Sequence, residues 1–486
     1  MRQYFGQYSF IPGIRLLLPA EMARIRFQNT LFLFLTCLSF FVTNHAKALP
    51  TFARQTGQSC VACHAGGQFP ELTPYGRIFK LTGYTIGTQG NPFSGLVLAE
   101  VTQNKNNIDS ATGTIVTQNN TPIIPTGSVF IAGKLTDNIG GFAQITYNVY
   151  DHQDTASPPQ WRGRLVSDNT DLRYVNRSLD SSNDLILGIT VNNNPSVQDV
   201  WNSSPGWNFP YVSSSGGGTA YSLPKPILER GFGSPAAGVG GYVFWNKSLY
   251  AEITGYQTAN GFWKFLSQGY KVGSAAEAGS PLVYSQGISP YARLAYSHEW
   301  KDQNAMIGLI GMNTNIYPVD TNNLPVFGPV VHYNDKGIDG QYQYLLEPHT
   351  FTSQFRYIRE TINDDTAQAY ANHDTLNSIF AKVTYVYRNQ YGTNIAYRKI
   401  SGTSDLSAYP TLLQNPTASS YSTSARNSPN TKLWTPEVFW LPIQNLRIGL
   451  QYNLYTEYLG AASNYDGYKR NASDNNSAYL YAWVAF

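Results

Sequence analysis

The chain has 486 residues, with 33 Lys and Arg, 30 Asp and Glu, a net charge of +3 and an aromatic fraction of 14%. A charged share of 13% is about half the usual value. Many aromatics at low net charge exclude an intrinsically disordered chain, and sparse charge excludes a nucleic-acid binder. The hydrophobic fraction of 42%, with no long apolar run after the N-terminus, excludes a helical membrane protein.

At the N-terminus, Arg24 and Arg26 precede an apolar run, Leu31 to Val42, and then Ala46-Lys47-Ala48. A basic stretch, an apolar stretch and small residues spaced A-x-A, in that order, make residues 1–48 an export signal. Leu49 then opens the mature chain. The leader is long when counted from Met1 and of ordinary length when counted from Met22, a second candidate start. The run is too short to span a bilayer, and Cys37 reads as part of it.

Next comes Cys60-Val61-Ala62-Cys63-His64. Two thiols at this spacing suit thioether attachment to the vinyl groups of one haem c, with the adjacent His64 as proximal axial ligand. A thioredoxin-like pair would want a βαβ context. A zinc site would want a second ligand pair, and the mature chain has no other cysteine. The predicted cytochrome segment, residues 49–92, is too short to bury a haem alone, so something else must wall it. Thr73 and Pro74 read as the cap and first turn of a helix over 73–81. No His or Met occurs in 65–92, so a sixth ligand comes from far along the chain or not at all. Met306, Met312 and His349 are the candidates, with His152, His298, His332 and His373 also available.

From Phe93 onward, period-2 alternation dominates. Val129, Ile131 and Leu135 alternate with Ser128, Phe130 and Lys134; Leu450 and Leu454 alternate with Gln451 and Asn453. One apolar and one polar face over about ten residues is the membrane β-strand pattern. Sixteen strands are predicted, at 93–102, 126–136, 140–150, 170–177, 184–191, 237–246, 248–258, 288–299, 304–314, 336–346, 350–360, 376–387, 391–400, 432–441, 445–456 and 477–486. Tight turns alternate strictly with long connections, as in outer-membrane barrels with short periplasmic turns and long outer loops. Residues 93–486 are therefore predicted to form an all-β, sixteen-stranded antiparallel outer-membrane barrel, preceded by the small helical or irregular haem segment. Its lumen supplies the missing wall, and the segment sits on the periplasmic side or within the lumen. Lys134, Arg293, Arg356, Lys382, Arg398 and Arg447 on the polar faces, against Glu252 and Glu437, predict a basic lumen suited to haem propionates.

The chain resembles the outer-membrane fused monohaem c-type cytochrome–porin family, the ferrous-iron oxidase cytochromes of iron-oxidising bacteria. The resemblance runs through Pro50-Thr51-Phe52-Ala53-Arg54-Gln55, the Cys60–His64 motif, Phe69-Pro70-x-Leu72 and Gly76-Arg77-x-Phe79-Lys80-x-x-Gly83-Tyr84. A second stretch runs from Gly188 to Pro195, through Val197-Gln198-Asp199-x-Trp201-Asn202, to Phe209-Pro210-Tyr211. It implies an oxidoreductase that takes electrons from Fe(II) outside the cell and passes them to a periplasmic cytochrome c or copper protein. The sequence-level alternatives are a haem-plugged porin or transport channel, and a conduit running electrons outward. Asp364, Asp365, His373 and Asp374, with Asn363, share one predicted outer loop. Their oxygen and imidazole donors suit an Fe(II) encounter site, and a solvated acidic loop has the same composition. N-terminal sequencing of the exported protein is expected to begin at Leu49; a terminus at Met22 or Met1 would contradict the export reading.

Overall fold

The computed structural model describes residues 50–67, 70–111, 113, 119–153, 161–180, 183–202, 223–230, 236–266, 283–320, 324–366, 373–411 and 423–486. The export segment with Met22 and Cys37, as well as Phe69 and 209–211, lies outside the described residues, as do the side chains of 151–153, among them His152. No described helix is long and apolar enough to cross a membrane.

Sixteen strands close into one antiparallel barrel. They are β1 Phe93–Asn104, β2 Ile123–Lys134, β3 Ile139–Gln153, β4 Trp161–Leu179, β5 Asp184–Asn192, β6 Ala236–Trp245, β7 Leu249–Thr258 and β8 Ser289–Trp300, followed by β9 Gln303–Ile316, β10 Val331–Leu346, β11 His349–Asp364, β12 His373–Tyr387, β13 Tyr391–Gly402, β14 Thr431–Ile443, β15 Leu446–Glu457 and β16 Ser477–Ala485. Closure is made by β1 on β16, with Leu96 opposite Ala485 and Asn104 opposite Ser477. This leaves no sheet edge exposed. Each predicted strand is present. The main difference is β4, predicted as 170–177 and found to run 19 residues. Asp168, Asn169 and Thr170 break its apolar alternation, which hid its first half. At the Asn246–Lys247 turn both residues have positive φ, 47° and 55°, the conformation that matches the twist of a tight hairpin.

The apolar face is the outside. Val129, Leu165, Ile253 and Leu309 are all exposed, Ile253 by 66%, whereas Ser128, Phe130, Glu252 and Thr254 on the alternate positions are buried. A continuous apolar exterior round a polar interior is the arrangement that lipid selects for a closed sheet. The barrel is of the outer-membrane type.

Among the described residues, the expected surplus of positive charge in the lumen is not found, because carboxylates of the strands, of the N-terminal segment and of the stretches between strands neutralise it. Arg293 lies 2.6 Å from Asp339 and 3.6 Å from Asp199, and Arg447 meets Glu437 at 2.5 Å, whereas Lys134 pairs at 2.6 Å with Asp137 in the exposed turn outside the lumen. Arg356 and Arg398 both pair with Glu229, and Lys382 pairs with Glu71. An uncompensated charge at such depth costs several kcal/mol, roughly 3–5 when one partner of a pair is removed.

The segment after β5, predicted as an outer loop, turns inward instead. Helix α4 (Pro195–Gln198) and the stretch to Trp201 are buried against the lumen wall. Arg173 donates to Gln198 O at 2.8 Å, and Gln198 Oε1 accepts from Thr254 at 2.9 Å and from Asn192 at 3.1 Å. Further on, α5 (Ile227–Arg230) enters the lumen with its N–H groups on carboxylates: Ile227 N on Glu360 at 2.5 Å and Leu228 N on Asp335 at 3.0 Å.

The N-terminal segment holds α1 (Pro50–Thr56), α2 (Cys60–Cys63) and α3 (Pro74–Leu81). Thr73 caps α3 by accepting from Gly76 N at 3.2 Å, with Pro74 in its first turn, as predicted. Lys47–Phe486 form one compact unit. Leu81 and Ile78 join a core with Val175, Ile186, Tyr242 and Met306 from the barrel wall. Replacing Ile253 with Lys on the lipid face is expected to cost up to about 2–4 kcal/mol of barrel stability. Urea unfolding followed by gel mobility measures it; an unchanged midpoint would contradict the lipid-facing assignment.

Candidate functional site: a cavity between the Cys-x-x-Cys-His turn and the barrel wall

The motif folds as a single helical turn. His64 N donates to Cys60 O at 2.9 Å, and Cys60 N donates to Gln444 Oε1, in the β14–β15 turn, at 3.2 Å. The chain then doubles back. Ala65 N donates to Glu71 O and Thr73 N to Cys63 O, both at 2.9 Å, and His64 bridges to Leu72. Thr73 Oγ1 donates to Ala62 O at 2.5 Å. Gly76 packs α3 directly on this turn: a Cβ there would sit 2.2 Å from Cys63 O. Gly66 has φ of +71°, and its Cβ would fall 2.6 Å from Val386 of β12, so the return loop approaches the wall as only glycine can.

Long polar side chains tie the segment to inward-facing residues all round the barrel. Arg77 donates to Leu72 O, Gln343 and Asn304 at 3.1–3.2 Å and reaches Glu299 at 3.5 Å. Lys80 donates to Asp199 O at 2.6 Å, Asn202 donates to Pro70 O at 2.5 Å, and Tyr84 donates to Asp171 at 2.6 Å. Tyr242 donates to Leu81 O at 2.7 Å. Gln55 bridges Tyr84 O, Ile86 O and Lys134 N at 2.6–2.9 Å. Burial holds Lys80 near pKa 7 and Arg77 near 10, with Arg173 pushing Lys80 further down and Glu299 partly restoring Arg77.

Cys60, Cys63 and His64 all line one cavity of about 730 Å³, within the roughly 300–1,000 Å³ range of cofactor and small-molecule sites. Around the motif the walls are apolar: Phe79 of α3, Leu98 of β1, Phe130 of β2, Phe142 of β3 and Trp483 of β16. Phe52 stacks on Tyr84 with centroids 5.3 Å apart, and Phe79 meets both rings edge-on at 5.0 and 5.8 Å. Burial pushes the His64 imidazole down to about 4, against the opposing pull of Glu71, so the ring is neutral as a ligand must be. Burial, with Cys60 beside it, pushes the Cys63 thiol up to about 11. Two thiols one helical turn apart, a neutral imidazole and an apolar chamber fit a covalently tethered haem.

The structure separates the other sequence-derived residues from this cavity. Met306 and Met312 both point inward, but each is packed into an apolar cluster. His349 lies at the start of β11, its Nδ1 2.7 Å from Tyr385 Oη. None of the three lines the cavity. Asp364, Asp365, His373 and Asp374 share the β11–β12 hairpin, with Asn363 opposite His373. Each is engaged separately: Asp364 with Thr366, Asp365 with His332 at 2.9 Å, His373 with Asn363 at 2.6 Å and Asp374 with Thr403 at 2.6 Å. Among the described residues, no three His, Cys, Asp or Glu side chains are grouped to hold a metal ion.

The sequence reading missed the residues lining the rest of the cavity. Among them are the alternate positions Thr126, Ser128, Gln144, Thr146 and Asn148, with Asp168 and Asn169 of β4. Strand parity alone points the first five inward.

No family model and no characterised protein matches the chain by sequence. Among solved structures it is similar to OmpT of Vibrio cholerae, an outer membrane protein, over 81% of this chain and 98% of that one, at 10% identity and a TM-score of 0.41. The outer membrane channel DcaP of Acinetobacter baumannii aligns over 81% and 96%, at 10% identity and TM-score 0.43. An anion-selective porin from Comamonas acidovorans aligns over 81% and 98%, at 10% identity and TM-score 0.40. Gly76→Ala is expected to displace the motif turn from α3 and to lower the thermal unfolding midpoint of the purified protein; an unchanged midpoint would contradict the packing described.

Proposed function

We propose that this protein is an outer-membrane cytochrome: a barrel whose lumen walls one covalent haem c, tethered at Cys60 and Cys63 and ligated by His64. It moves single electrons between the outer face and the periplasm. The observation that carries this reading is the shared cavity: both thiols and the imidazole open onto one chamber completed by barrel strands. A bound haem c would supply a one-electron couple. The chain's own residues do the rest. Arg77 and Tyr84 lock the segment to the wall, Lys80 ties it to the inward-folded stretch after β5, Gln444 fixes the start of the motif turn, and the aromatic lining would shield a haem held there from water.

Orientation follows from the connections. The motif turn touches the β14–β15 turn, and Arg77 reaches Glu299 and Asn304 beside the β8–β9 turn. Short turns face the periplasm in barrels of this type, so the thiols lie toward the periplasm, within reach of a soluble cytochrome c or copper protein as acceptor. Fe(II) is the donor implied by the sequence resemblance. The same residues could serve a conduit running outward; donor and acceptor potentials decide.

A second reading, a porin or transport channel plugged by the segment, is favoured by the cavity's extension beyond the motif along β2 and β3. The two readings give opposite results. Mixed anaerobically with Fe(II), the detergent-solubilised protein is expected to show reduced haem bands and, in planar bilayers, little conductance. Unchanged bands with steady solute conductance would overturn the electron-transfer reading in favour of the channel.

A further inference from the structure

The cavity does not end at the motif. On β3 it is lined in turn by Phe142, Gln144, Thr146, Asn148 and Tyr150, a path of roughly 26 Å along the strand. β3 runs from the tight turn after Asp137 toward the long connection after Gln153, so the cavity climbs from the motif to the long-loop end. Its chemistry changes on the way. Phe130 and Phe142 give way to Ser128, Thr126, Gln144, Thr146 and Asn148.

At the change, β4 is irregular. Ala143 pairs with Thr170 and Ile145 with Ser167, leaving both Asp168 and Asn169 opposite Gln144. A bulge of this kind re-aims side chains, and both residues line the cavity. Asp168 is the only carboxylate among the described lining residues; the lysine, Lys80, sits below on α3 and is turned to Asp199 O. The surrounding oxygens are held in place. Thr146 donates to Asp168 Oδ2 at 3.0 Å, Ser128 and Thr146 share a bond of 2.8 Å, Gln144 donates to both hydroxyls at 3.1–3.2 Å, and Asn169 donates to Gln144 at 2.8 Å.

We propose that the bulge at Asp168–Asn169, with Thr146, Ser128 and Asn148, is a docking site inside the lumen for a hydrated divalent cation, where ferrous iron meets the haem. One carboxylate among neutral oxygens suits a hard divalent ion held through its water shell. A lone negative charge in a low-dielectric passage draws cations and slows anions. The inference rests on the proposed electron-transfer function and deepens it: the donor is oxidised within the barrel, not at the surface loops. The step is a one-electron exchange. Docked Fe(II) would become Fe(III) by giving one electron to the ferric haem that Cys60, Cys63 and His64 would hold, and that electron would pass on to the periplasmic acceptor; no bond forms or breaks.

Two readouts test it on the full-length holoprotein. Mn(II), followed by electron paramagnetic resonance, reports binding without redox chemistry. Stopped-flow haem reduction compares Fe(II) with dithionite, a small anion. Asp168→Asn is expected to weaken Mn(II) binding and slow reduction by Fe(II), each by at least about tenfold, without slowing dithionite. Asn148→Lys, which places a cation in the passage, is expected to act in the same direction and serves if Asp168→Asn fails to fold. Mn(II) binding or an Fe(II) rate unchanged in the folded variants would overturn the docking site. Wild-type protein that binds Mn(II) through Asp168 yet is never reduced by Fe(II) would support the cation site while overturning the iron-oxidase function.

Discussion

A stretch of some forty residues buries too little surface to enclose a tetrapyrrole by itself. The haem site proposed for this chain depends on that constraint. The segment carrying Cys60, Cys63 and His64 has three short helices and an aromatic stack, and inward-facing side chains of the barrel make its remaining contacts. The sheet thus serves two solvents. Outside, alternate positions offer lipid an apolar surface; inside, the same strands offer hydroxyls, amides and paired charges.

The polar side chains of the segment are buried against specific partners. Arg77, Lys80 and Tyr84 each reach a different sector of the wall, so the segment is held in register by directional bonds as well as by apolar packing. The inward-folded stretch after β5 works from the other side: Asp199 O and Asn202 meet Lys80 and Pro70 O, and Gln198 knits β4, β5 and β7 together. This stretch has the dense, fully buried character of a core, although it connects two strands of a barrel.

Much of this was legible in the sequence, for physical reasons. Period 2 is forced on any strand that separates lipid from a polar lumen, so Val129, Ile131 and Leu135 against Ser128 and Phe130 betrayed both strand and face. The cap at Thr73 and the thiol spacing were local and equally plain. What escaped was non-local. Glu71 and Glu229 lie outside the strands, so their neutralisation of Lys382, Arg356 and Arg398 is invisible until the chain is closed. The first half of β4 was hidden by Asp168, Asn169 and Thr170, whose polarity reads as a loop until the bulge is seen. The block from Asn192 to Asn202 read as an outer loop because polarity without periodicity looks the same in water and in a polar lumen.

The central claim is that one haem is covalently held at Cys60 and Cys63 within the barrel, and intact mass spectrometry of the purified, denatured protein tests it most directly. The expected mass is that of the chain from Leu49 plus a single haem, with the increment lost in a Cys60→Ala/Cys63→Ala variant that still folds as a barrel. A colourless wild-type protein with the bare polypeptide mass would contradict the account.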